Sequence, residues 1–205
     1  MIIYVETNFV LELARLQEQH DSCEGILSLA EAQKVSLIIP AFSITEARTA
    51  LLRLRKQRVE FHTRQLIPHL HELSRSKPYR EISSASEPLT KALIESSQRE
   101  TAELESVTSR LLHCGHIIPL ETVIVDSAVR NEKKLGLEAP DAAVYASIIE
   151  DLRGRTRGPK CFLNKNSKDF ANPDIYAELK KHGCKMIPSF DDGFRYVSTR
   201  LPKKR

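Results

Sequence analysis

The 205-residue sequence has four cysteines, at 23, 114, 161 and 184, and no Cys-x-x-Cys pair among them. Neither a local zinc site nor a dithiol redox motif can be built from such spacing, and the four read as buried thiols in a reducing compartment. Seven glycines never fall into Gly-x-Gly-x-x-Gly or a Walker A loop, and there is no Gly-x-Ser-x-Gly elbow. Nucleotide-cofactor and serine-hydrolase chemistries lose their main support. No apolar run approaches the roughly 20 residues of a membrane helix, and Met1-Ile2-Ile3-Tyr4-Val5 lacks a basic n-region. Membrane spanning and secretion are disfavoured, so a cytoplasmic protein is expected. Internal repeats and low-complexity tracts are also missing. What is present is 41% hydrophobic and 28% charged residues, enough for a core, with a net charge of +4 that permits a polyanionic partner without demanding one. The length fits one domain, or a compact domain with a large insertion.

Hydrophobic patterning gives strand and helix in alternation. Ile2 to Val5 is a short β-branched run ended by Glu6-Thr7-Asn8, with Thr7 expected to cap a helix through Phe9, Leu13 and Leu16. The run Val35 to Ile39 stops at Pro40, and Ser43-Ile44-Thr45-Glu46 has capping-box spacing for a second helix. From about 51 to 115 the pattern is helical and polar, broken at Pro68 and near Pro78, which predicts a helical insertion. A helix from Val123 to Leu135 ends at Gly136, and Pro140-Asp141 opens another that is apolar on nearly every face, hence buried. After a basic loop at 153 to 160 come strand Cys161-Phe162-Leu163, a polar loop, a helix opened by Asn172-Pro173-Asp174, and a last strand Cys184 to Ile187. Strands separated by helices need crossover connections. The economical architecture is an α/β/α sandwich around a mainly parallel sheet of four to five strands, in one domain over residues 1–190, with a partly disordered tail over 191–205.

In an open parallel sheet, ligands bind beyond the carboxyl ends of the strands. Four acids are expected at that edge: Glu6 after the first strand, Glu46 near the start of the second helix, Asp141 opening the buried helix, and Asp169 in the polar loop. Carboxylates brought together repel, and hard divalent cations with oxygen ligands, Mg²⁺ or Mn²⁺, resolve the repulsion and activate water for phosphodiester hydrolysis. Each acid has a second reading. Glu46 completes a capping box, Asp141 answers a helix dipole, and Glu6 and Asp169 are solvated strand-end acids. His113-Cys114-Gly115-His116 offers only three candidate ligands and reads as a helix-end cluster.

The stretch 2 to 13, Ile-Ile-Tyr-Val-Glu-Thr-Asn-Phe-Val-Leu-Glu-Leu, resembles the opening strand and acidic turn of PIN-domain nucleases. Asn164-Lys165-Asn166-Ser167-Lys168-Asp169-Phe170 is similar to the Thr-Arg-Asn-x-x-Asp-Phe block of that family, especially its VapC-type toxins. Ala139 to Ala146 resembles its third acidic helix start, and Gly183 to Ser189 its terminal strand. The resemblance covers about residues 1–50 and 120–190 in the family's order. It implies a PIN-like α/β/α sandwich and metal-dependent endonucleolytic cleavage of single-stranded RNA, with Glu6, Glu46, Asp141 and Asp169 as Mg²⁺ or Mn²⁺ ligands. Asn8 would orient the first carboxylate, and Asn164 and Asn166 would line the site. A homodimer and an antitoxin-like or other protein partner are compatible with it.

Two positions depart from the family pattern. Its first acid is normally aspartate, and Glu6 carries one more methylene; Asn164 replaces the usual Thr or Ser. For substrate phosphates, Lys165 and Lys168 lie in the acid-bearing loop, and Arg48 and Arg55, seven apart, share one helix face. The competing expectations are a PIN scaffold that binds RNA or protein without cutting, and a metal-dependent DNA nuclease.

Overall fold

A computed structural model of the chain describes residues 1–165 and 170–201, with 82–85 by backbone alone. Five strands form one parallel sheet: β1 (Ile2–Tyr4), β2 (Ser36–Pro40), β3 (His116–Ile118), β4 (Lys160–Leu163) and β5 (Cys184–Ile187), in the order β3-β2-β1-β4-β5. The order reverses at β1, whose neighbours are β2 and β4, and this is the switch point where a crevice opens in folds of this kind. Strand residues alternate between two helical layers. Ile3, Leu37, Ile39, Cys161 and Leu163 face α1 (Thr7–Arg15), α2 (His20–Glu31), α3 (Ala41–Phe61), α5 (Ser86–Cys114) and α9 (Phe190–Ser198). Tyr4, Ile38, Phe162 and Met186 face α6 (Thr122–Leu135), α7 (Ala139–Gly154) and α8 (Pro173–Lys181). With both faces covered, the strands are mainly apolar, as expected of buried parallel strands. The architecture is the expected α/β/α sandwich.

Several local expectations change. Glu6, not Thr7, caps α1: its backbone is extended and its carboxylate accepts the Asn8 N–H. Helix α3 begins at Ala41, directly after Pro40, so Ser43 lies inside the first turn and Glu46 is its sixth residue. The capping box is therefore not formed, and Glu46 is released from that role. Pro68 does not break the helical path. A π-turn (His62–Leu66) precedes α4 (Ile67–Ser74) and places Pro68 in the first turn of α4, where a missing N–H is tolerated. The kink comes instead near Pro78, where Tyr79 leaves helical geometry. Helix α2 and the edge strand β3 are additional to the sequence reading, and α9 occupies 190–198, where a tail was expected. Residues 202–205 lie outside the described residues.

Between α3 and α5 the helical stretch is not a free appendage. Arg58 makes a two-pronged ion pair with Glu100 at 2.8 and 3.0 Å, and Leu104, Val107 and Leu111 of α5 are buried in the main core. Of the cysteines, all four are free thiols and three are buried, as expected for structural thiols. Burial pushes the Cys23 thiol above its ordinary range and holds Cys161 and Cys184 at about 12, so these sulfurs stay protonated and unreactive. No helix among the described residues is long and apolar enough to cross a membrane.

Candidate active site

A cleft of about 560 Å³ opens at the carboxyl ends of β1 and β2, between the starts of α1, α3 and α7. Glu6, Glu46 and Asp141 all line it, each delivered by a different element. Glu6 follows β1 as the N-cap of α1, Glu46 projects from the second turn of α3, and Asp141 sits in the first turn of α7 behind Pro140. Asp169, Lys168 and Asn166 fall outside the described residues.

Glu6 is buried to 5% exposure, yet both carboxylate oxygens have donors. Oε2 accepts the Asn8 N–H at 2.7 Å, and Oε1 accepts the Lys165 N–H at 3.4 Å across the switch point between β1 and β4. Burial raises its pKa from an ordinary 4.5 to about 7; the two backbone N–H groups and the Asn8 side chain act in the opposite direction, and the negative charge of Asp141 adds to the rise. Glu46 Oε2 accepts the hydroxyl of Thr7, so α1 and α3 are linked through the site itself. Asn164 is buried at the end of β4, and its N–H donates to Ile187 O at 3.1 Å.

The donor types suit a hard divalent cation. Carboxylates line the cleft, and among the described residues no His or Cys does. Spacing is less complete: no three His, Cys, Asp or Glu side chains of the described residues stand close enough to form a metal site, and this includes the His113 to His116 cluster. Glu6, Glu46 and Asp141 thus share a cleft without closing a ligand shell by themselves.

The basic residues expected to meet substrate divide differently from that expectation. Lys165 turns its ammonium to the buried Glu12 and, at 3.2 Å, to Glu18. Arg48 and Arg55 open onto a separate groove of about 460 Å³ between α3 and α5, floored by Leu51 and Leu104. The reason is helical phase. Two residues beyond Glu46, at about 100° per residue, Arg48 points nearly to the opposite side of α3. Thr49, Ala50 and Arg53, three, four and seven residues beyond Glu46, line the acid cleft with it. Arg53 and Glu138, the N-cap of α7, are site residues that the sequence reading did not single out. Counting in steps of three, four and seven from Glu46, rather than pairing arginines with each other, identifies Arg53 from sequence.

No protein-family model matches the chain, and no curated protein matches it. Among solved structures, the crystal structure of VapBC2 from Rickettsia felis bound to a DNA fragment from their promoter aligns with 91% of this chain and 98% of that one, at 11% identity and a TM-score of 0.43. A likeness at that level carries no functional weight. The fold assignment rests on the strand order and the two helical layers.

Proposed function

We propose that this protein is a PIN-type, metal-dependent endoribonuclease that hydrolyses phosphodiester bonds of single-stranded RNA. The observation that carries the proposal is the convergence of Glu6, Glu46 and Asp141, from three separate elements, on one cleft at the carboxyl ends of β1 and β2 in a parallel sheet. Three acids with merely local duties would have no reason to share a cleft, and the capping duty proposed for Glu46 is absent. In this reading Glu6, Glu46 and Asp141, together with Asp169, hold Mg²⁺ or Mn²⁺. An ion held there would supply Lewis-acid chemistry, lowering the pKa of a water and offsetting negative charge at the phosphate.

The chain's own residues supply position. The Asn8 and Lys165 N–H groups fix the Glu6 carboxylate, and the Thr7 hydroxyl fixes Glu46. Preset ligands spend little free energy on ordering when the ion arrives. Burial of Glu6 keeps competing water away from one side of the site, at the cost of a carboxyl group that must lose its proton before it serves as a ligand.

A second reading, a scaffold that binds RNA or protein without cutting it, is favoured by the same Glu6. Its pKa of about 7 leaves much of it protonated near neutrality, and both its oxygens already accept backbone N–H groups. Incubating labelled single-stranded RNA and single-stranded DNA with the protein and Mn²⁺, with and without chelator, separates these readings. Chelator-sensitive cutting of RNA alone is the expected result. Cutting of DNA at an equal or higher rate points to a DNA nuclease, and retention of RNA without cutting points to the scaffold.

A further inference from the structure

Arg53 is the one cationic side chain that lines the acid cleft among the described residues. It is exposed, and it makes no ion pair with a described residue, whereas Arg58 on the same helix and Arg15 on α1 are both tied to Glu100. Four carboxylates line the same cleft, those of Glu6, Glu46, Glu138 and Asp141. Arg53 makes an ion pair with none of the four among the described residues, and its charge can meet an anion that enters the cleft.

Its distance from the acids is set by the helix. Seven residues along α3 separate it from Glu46, about 10.5 Å at 1.5 Å per residue, on nearly the same face. Rooted two turns along the helix from Glu46, Arg53 is offset from the acids along the cleft they share. It is well placed for another phosphate of the same strand, and its planar fork matches phosphate oxygens. We propose that Arg53 binds a substrate phosphate flanking the scissile bond, so that the site selects a polynucleotide strand running outward along α3 over a mononucleotide. This inference rests on the nuclease reading of the cleft. Arg53 is a positioning residue and takes no part in bond cleavage.

The test uses the full chain carrying Asp141→Asn, with Mn²⁺ present, and follows fluorescence anisotropy of a labelled 12-nucleotide single-stranded RNA over a series of salt concentrations. Adding Arg53→Gln is expected to weaken binding about tenfold at low salt. It should also reduce the slope of log K against log salt by about 0.7, the share of one phosphate contact on a single strand. Arg53→Lys should restore most of that slope, since a phosphate contact needs a positive charge at that point. Lys56→Gln, the same charge change on the same helix but outside the cleft, should alter binding less than twofold. An Arg53→Gln variant that binds with unchanged affinity and slope, or a Lys56→Gln variant that loses as much, overturns the assignment of Arg53 while leaving the acid site standing. Absence of RNA binding by every form overturns both, and degradation of the RNA by the Asp141→Asn background overturns the role of that acid alone.

Discussion

Glu6 is the residue on which the chemistry and the stability of this fold meet. Its carboxyl titrates near pH 7 in the folded protein and near 4.5 in an open chain, so between those values the folded state holds more protons than the unfolded one. Stability therefore falls as pH rises from about 4.5 to 7 and is level above that, by an amount on the order of 3 kcal/mol. Glu6→Gln removes the ionisation. Thermal melts in chelator should show the difference in Tm, variant minus wild type, growing as pH goes from 5 to 8, whatever constant offset the amide introduces at the Asn8 and Lys165 N–H groups. A difference that is flat or shrinks with rising pH would mean that Glu6 is already ionised at little cost. The sequence marks Glu6 as a departure from the aspartate of the PIN pattern but does not say how the extra methylene is used. The structure uses it to span from the Asn8 N–H to the Lys165 N–H, a contact across 159 positions that no local pattern encodes.

At the scale of elements, the alternation of strand and helix is legible because each element carries its own periodicity and its own boundary, such as the stops at Pro40 and Gly136 and the start at Asn172. Helix α2 carries the same kind of signal, with Cys23, Ile26, Leu27 and Ala30 buried as one stripe, and it was within reach of the sequence. Strand β3 was not: its two apolar residues, Ile117 and Ile118, stand between the polar end of α5 and Pro119 and make no run. The role of Lys165 was equally hidden, because its partner Glu12 lies on α1 and faces inward at 1% exposure. That pair ties the segment after β4 to α1, and Glu12 also accepts the Gln19 N–H at 2.8 Å. Lys165→Met leaves a buried carboxylate without its counter-charge and should cost on the order of 3 kcal/mol in urea denaturation. Combining it with Glu12→Gln should recover most of the loss, since a neutral amide needs no counter-ion and still accepts from Gln19. A single-variant loss below about 1 kcal/mol would show that Glu12 has another source of compensation.

For the whole molecule, the sheet order brings the ends of β1 and β2 and the starts of three helices to one edge, and the acid cleft is a property of that assembly. From sequence, the position of Glu6, Glu46 and Asp141 at this edge was legible through the rule that parallel sheets bind ligands beyond their carboxyl ends. The helix faces were within reach only by counting phase from Glu46, and pairing Arg48 with Arg55 leaves that anchor out. At two and nine residues beyond Glu46, both arginines lie on the other side of α3. An ion bound only by the folded state should stabilise the entire domain. Free Mn²⁺ at 100 times its dissociation constant contributes about 2.7 kcal/mol, a rise in Tm of roughly 5 to 10 °C for a chain of this length. Glu46→Gln combined with Asp141→Asn should abolish the rise. An equal rise in that double variant would place the ion elsewhere.

If these acids make the cleft a nuclease, initial rates of single-stranded RNA cleavage at saturating Mn²⁺ depend on each of them. Glu46→Gln and Asp141→Asn should each lower the rate by about 100-fold or more, beyond the 10- to 100-fold typical of losing a group that only supports a ligand. Circular dichroism of both variants should match the wild type, so that the loss belongs to the site and not to the fold. Wild-type rates in both folded variants would show that Glu46 and Asp141 take no part in cleavage.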